Sequence, residues 1–216
     1  MIPPPLFENP DKSHCFQALL KSVLNRVFPE RSYTYEELDR LSGKRPGCWT
    51  WPTTALLALK QMGLTVVLCE DFDYLAFAER GESYLAEHLG SEVAAAQARH
   101  SDLAYEREMA RRFAAEVSVE ARAPGWTDLE TLLADGYSVI CNVNLAVLNG
   151  WRGYAGHFVL VYEVGDAEVR FHDPGPPAKP GRAASREKFL EAWAFPDARA
   201  TNLMAFGPGS LPQETR

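Results

Sequence analysis

Three side chains in this sequence have the types and the order that thiol chemistry needs: Cys15, His157 and Asp173. A cysteine attacks a carbonyl as its thiolate, so something must hold the anion near neutral pH. Cys15 lies in the first turn of a helix-patterned run, where unpaired N–H groups and the positive end of the helix dipole favour a negative sulfur. A base must then pair with the sulfur and later protonate the leaving group. His157 follows Gly156 at the start of the apolar run HFVLVYEV. A third group must orient the imidazole, and Asp173 ends the next run, AEVRFHD. A hairpin sets the start of one strand beside the end of the next. His157 and Asp173 are therefore expected to be neighbours.

The elements that would position these residues are readable in outline. Pro3, Pro4, Pro5 and Pro10 keep residues 1–12 extended. Phe16, Leu19, Leu20, Val23, Leu24 and Val27 then recur at helical spacing, with Ser13 as the expected N-cap and Pro29 as the stop. Thr34 opens TYEELDRLSG as a capped helix, with Glu37 three residues later and Gly43 ending it. Thr53–Met62 reads as a helix and LTVVLCE as a buried strand. Residues 73–115 are rich in Ala, Glu, Leu and Arg and read as two or three helices forming an insertion. A strand is expected over 117–122, and a helix capped by Thr127. SVICNVN, HFVLVYEV and AEVRFHD are strands, the last two joined by a turn containing Gly165-Asp166. PGPPAKPGR reads as a loop, Ser185 as the cap of SREKFLEAW, NLMAF as a last strand and 207–216 as a frayed tail. Helices come first and an antiparallel sheet last, so the class is α+β, with all 216 residues in one domain.

Composition narrows the partners. A formal charge of -7 argues against a nucleic-acid binder, which needs a basic face. MIPPPLFENP lacks the basic start and apolar core of a secretory signal, and nothing approaches the roughly 20 apolar residues of a membrane span. A cytoplasmic location with reduced thiols and no membrane contact is expected. The four cysteines form no CxxC pair or zinc-like cluster with histidine, so no metal or cofactor is expected, and His88 and His100 are not read as ligands. Cys69 and Cys141 read as buried hydrophobes, while the role of Cys48 stays open.

The stretches SHCFQALLKSVL, GHFVLVYEV, VRFHDPG and SREKFLEAW together resemble the peptidase C39-like members of the papain-like superfamily. Members place a cysteine on the first helix, Gly-His at a strand start, Asp-Pro after the next strand and a helix ending near a tryptophan. The resemblance covers 9–43 and 127–194 well and 73–115 poorly. It implies a papain-like fold, with N-terminal helices on a C-terminal antiparallel sheet, and a Cys15–His157–Asp173 triad. Two departures stand out. Cys15-Phe16-Gln17 replaces the family's Cys-Gly-Pro, and Asn9 stands where members carry the glutamine that donates to the oxyanion. Asn9 offers the same amide on a shorter arm, and Gln17 is the alternative donor. Losing one such donor raises a barrier by about 3 kcal/mol.

Trp49 and Trp51 share one loop and could line a substrate cleft. Asn144 and Trp151, in and beside the loop leading to His157, are candidates for a substrate wall. His14 is expected to face solvent, and His172, alternating with Asp173, to face the opposite side of its strand. The expected activity is hydrolysis of a peptide or other amide bond through a thioester. Acyl transfer by the same triad, or an inactive peptide-binding fold, are the alternatives. A peptide or an amide-containing small molecule is the expected partner.

Overall fold

The computed structural model describes residues 3–207. Of the tail expected over 207–216, all but the first residue lies outside that range. Helix α1 (Cys15–Val27) buries Phe16, Leu19, Leu20, Val23 and Leu24, the residues whose 3.6-residue recurrence marks it. Its N-cap is His14 rather than Ser13. Ser13 turns both its N–H and its hydroxyl to Asp11 Oδ1, at 2.9 and 3.0 Å, and so is unavailable to the helix. Helix α2 (Tyr35–Ser42) has the full capping box between Thr34 and Glu37 and the left-handed Gly43 at its end. Helix α3 (Thr53–Gln61) leads to strand β1 (Thr65–Glu70).

The 73–115 region is three helices: α4 (Tyr74–Arg80), α5 (Glu82–His100, kinked at Gly90) and α6 (Leu103–Glu116). Phe77, Ala110 and Phe113 from this region share a core with α1, α2 and α3. The strand expected over 117–122 is absent. Only Glu120 bridges to Cys69, because Pro124 and the exposed charges around it give no continuing ladder. Helix α7 (Trp126–Ala134) starts one residue before the expected cap. Asp128 reaches back to the Gly125 N–H at 2.7 Å, so Gly125 takes the place assigned to Thr127.

Strands β2 (Ser138–Asn144), β3 (Gly156–Val164) and β4 (Glu168–Asp173) follow as read, with a short helix α8 (Leu145–Asn149) inside the stretch between β2 and β3. PGPPAKPGR is not all loop: β5 (Lys179–Ser185) pairs antiparallel with β4. As an edge strand it tolerates Pro180, which has no N–H to give to a neighbour. Helix α9 (Arg186–Trp193) is capped by Ser185, and β6 (Asn202–Gly207) closes the chain.

The six strands form one antiparallel sheet in the order β1-β6-β2-β3-β4-β5. Its apolar residues alternate between two cores, as a period of two requires. Ile140, Leu160 and Met204 meet α1 and the other helices of the first half. Val139, Val159 and Ala205 meet α7 and α9. The sheet is therefore covered on both faces. It also takes β1 from the helical half, which the simple order of helices then sheet does not anticipate. Among the described residues no helix is long and apolar enough to cross a membrane.

Candidate active site

A ring contact brings the start of α1 to the start of β3. Phe16 packs on Phe158 with centroids 5.0 Å apart, so the residues just before them, Cys15 and His157, are set side by side. The Cys15 thiol lies beside the His157 ring and the N–H groups of Phe158 and Phe16, close enough for each to act on its charge. Burial by itself pushes this thiol up. The hydrogen bond and charge of His157, with the two backbone donors, outweigh it, and the net effect is a lowered pKa. His157 is buried, which opposes its charge, yet its pKa is raised to about 9 by Asp173 and Cys15.

His157 Nε2 donates to Asp173 Oδ1 at 2.8 Å. That leaves Nδ1 as the nitrogen available to sulfur. The carboxylate is itself tightly held: Oδ1 accepts from Gly175 N at 3.0 Å, and Oδ2 from Arg182 Nη1 at 2.9 Å. Burial would raise its pKa, but these partners bring it down to about 2. The structure thus places the three expected residues in one row, hydrogen-bonded from His157 to Asp173, and it adds a fourth. Arg182 also donates from Nη2 to Leu148 O and Asn149 Oδ1, at 2.8 and 2.9 Å, tying β5 to α8 behind the carboxylate. Sequence reading missed Arg182 because it missed β5. The available signal was an arginine returning nine residues after Asp173, followed by a small-residue run ending at a helix cap.

Two glycines are required by what lies against them. A Cβ on Gly156 would stand 2.6 Å from the Tyr154 hydroxyl, so glycine before His157 lets that ring lie across the strand start. Gly175 has φ +73, and its Cβ would fall 2.1 Å from the Pro177 carbonyl carbon.

The two expected oxyanion donors fare differently. Gln17 is fully buried, and its Nε2 donates to Ser42 Oγ and Thr50 Oγ1, both at 2.8 Å. Both amide hydrogens are used, so Gln17 does not serve the site. Its helix position turns it into the core between α1 and α2. Asn9 is buried as well, and does not line the cleft. Its Nδ2 donates to Gly175 O at 2.9 Å, and its Oδ1 accepts from His14 N at 3.0 Å, so it fastens the approach to α1 onto the loop after β4. One Asn9 amide hydrogen remains beyond that bond, and the Cys15 N–H stands at the first position of the helix. His14 is not solvent-facing as expected. It is largely buried between Asp11 and Asp39, at 2.6 and 3.2 Å. His172 faces away from the row, with Nε2 donating to Pro4 O at 2.8 Å.

A cleft opens at Cys15 and His157. Trp49 and Trp51 line it, as expected. Trp49 stacks on His100, while Trp51 stacks on Phe77 and donates to Gln97 and Ser101. Asn144 also borders the cleft, but its Oδ1 caps α8 and one Nδ2 hydrogen goes to Gly153 O, so it chiefly shapes the loop. Trp151 is 63% exposed and lies outside the cleft; Tyr154, three residues on, takes the place in the wall expected of it. Phe72, Leu89, Val93 and Gln97 are lining residues that the sequence reading did not single out. Cys69 and Cys141 are buried among apolar residues. Among the described residues no group of His, Cys, Asp and Glu is arranged to hold a metal.

The sequence matches no protein family and no curated protein. Among solved structures it is similar to the peptidase domain of Streptococcus ComA, a bifunctional ABC transporter involved in a quorum-sensing pathway. The two share 15% identity with a TM-score of 0.50, over 94% of this chain and 97% of that one. The likeness shows the fold: the mixed helices and antiparallel sheet are those of a C39 peptidase domain.

Proposed function

We propose that this chain is a cysteine peptidase or amidohydrolase that cleaves an amide bond through a thioester. Cys15 thiolate attacks the carbonyl carbon, and the carbonyl electron pair moves to oxygen. The Cys15 N–H, at the first position of α1, is the donor nearest by position to that oxyanion. His157 gives its Nδ1 proton to the departing amine as the C–N bond breaks, leaving a thioester on Cys15. The neutral ring then takes a proton from water, which attacks the thioester and releases the acid. Asp173 holds the ring by Nε2 throughout, and Arg182 holds Asp173.

One observation carries this reading: the Cys15 thiol sits beside a His157 ring that is hydrogen-bonded to Asp173, which is in turn held by Arg182. Cys69 and Cys141, by contrast, have thiols raised by burial. The test is limiting iodoacetamide at about pH 6, where only an activated thiol reacts well, with adducts mapped by mass spectrometry. The expected result is an adduct on Cys15 that disappears in His157→Ala. Equal labelling of Cys15 and Cys48 would sink the proposal.

A second reading has its own support. Asn9, at the position of the resembled family's donor, does not line the cleft, and Gln17 spends both its hydrogens in the core, so the oxyanion has fewer side-chain donors than in members of that family. This favours a slow hydrolase whose acyl-enzyme waits for an amine acceptor. Adding an amine to the reaction and finding the transfer product would establish it. A Cys15 that alkylates readily but never acylates would instead favour a peptide-binding role.

A further inference from the structure

The helices between β1 and α7 supply the far wall of the cleft. α5 runs across it, and His88, Leu89, Val93 and Gln97 line the same space as Cys15 and His157. The facing wall is built on Tyr154. Its ring meets Trp49 edge-on at 6.4 Å and stacks on Phe195 at 5.8 Å, and it borders the same space as Gln97 of α5. Tyr154 therefore faces α5 across the site. Phe72, Trp51 and Met204 add further apolar surface. Of the charged groups that border it, Glu70 is engaged with the Tyr74 hydroxyl and Arg199 with Asp197 at 2.8 Å, while Lys12 and Asp71 stand at its edge.

The size of this space says what fits. Its volume is about 180 Å³, and an apolar cavity of about 150 Å³ is enough to hold benzene. It is thus the size of one ring or one branched side chain. A compact space of this volume is about 7 Å across, the reach of two extended residues. Since Cys15 and His157 border it, whatever fills it belongs to a residue within that reach of the bond that Cys15 attacks.

We infer that the cleft takes one bulky apolar side chain, aromatic or branched, on a residue adjoining the scissile bond, and that Leu89 and Val93 of α5 select it. This rests on the thiol-hydrolase reading above and adds the substrate class to it. It also gives the helices over 73–115 a task in specificity.

The test uses acyl-aminoacyl chloromethyl ketones with Phe, Leu, Gly, Asp or Lys beside the reactive carbon. The Cys15 thiolate displaces chloride and forms a C–S bond, so no turnover substrate is needed. Rates are divided by the iodoacetamide rate on Cys15 of the same protein. The Phe and Leu probes should react on the order of tenfold to a hundredfold faster than the Gly probe, the benefit of burying one large apolar side chain. Leu89→Glu, at a half-buried position, and Val93→Trp, which fills the space, should each cut that advantage by roughly tenfold or more. Two variants are used because a tryptophan at buried Val93 can overpack the core. Equal rates for all probes, or a preference for Asp or Lys, would overturn the inference while selective iodoacetamide labelling of Cys15 left the hydrolase reading standing. An unchanged Phe preference in both variants would remove α5 from the selection. Failure of iodoacetamide to select Cys15 would defeat both.

Discussion

Replacing Asp173 with Asn tests how the His157 charge is maintained. In the structure the ring is buried, which alone would lower its pKa, yet the value is raised from 6.5 to about 9. That gap corresponds to about 3 kcal/mol in favour of the charged ring. The hydrogen bond from Asp173 is the largest of the groups that raise it, ahead of Cys15. Asp173→Asn keeps the shape and a carbonyl acceptor but removes the negative charge. The imidazolium should lose at least a third of that stabilisation, so its titration should move down by about one pH unit or more. The two sites titrate as a pair, so the Cys15 thiol should move up at the same time.

The assay compares iodoacetate with iodoacetamide on Cys15 from about pH 4 to about pH 10. Iodoacetate is drawn by the imidazolium and iodoacetamide is not, so the ratio of their rates falls as the ring loses its proton. In the parent protein the ratio should fall around pH 9. In Asp173→Asn it should fall at least about one pH unit lower, and circular dichroism must show the fold intact. A ratio falling at the same pH in both proteins would refute the account of Asp173 as the group that keeps the ring charged.

Three further outcomes follow. Arg182→Met leaves a buried carboxylate without its 2.9 Å partner and frees Leu148 O and Asn149, so the urea midpoint should drop by the equivalent of about 3 kcal/mol; a loss under about 0.5 kcal/mol would show that Asp173 is satisfied without it. Gln17→Ala should cost about 2 kcal/mol of stability by stranding Ser42 and Thr50 in the core, with kcat on any substrate little changed; a large fall in kcat at full folding would return Gln17 to the oxyanion. The buried Glu106 is raised by burial from 4.5 to about 8, so it stays protonated in the fold while the unfolded chain has already lost the proton. Stability should therefore decline as pH rises between those values, and Glu106→Gln should flatten that slope in urea titrations at successive pH. The Asp173 and His157 contributions have opposite senses. The first is present above 3.8 and is lost as pH falls through about 2; the second is present below 6.5 and is lost as pH rises through about 9.

Local pattern determined much of this protein. The helical recurrence from Phe16 to Leu24 fixed α1 and placed Cys15 in its first turn. The continuous apolar runs of β2, β3 and β6 follow from a sheet with an apolar core on each face, and their bounds put His157 at a strand start and Asp173 at the end of its hairpin partner. The caps at Thr34, Gly43 and Ser185 were legible because a cap is satisfied within a few residues of itself.

What the sequence alone did not decide was settled by partners far along the chain. Lys179–Ser185 has no apolar alternation, and becomes a strand only because β4 offers it an open edge; Arg182 was hidden with it. Gln17 looked free to serve the oxyanion until Ser42 and Thr50, 25 and 33 residues away, took both its hydrogens. Asn9 is held to Gly175 over a separation of 166 residues. The α5 wall over the cleft depends on contacts from Trp51 to Gln97 and from Trp49 to His100 that no short window contains. A side chain's type and period choose its element, because those depend on neighbours in sequence. Which groups it satisfies depends on what folding brings beside it, and only the tertiary structure holds that.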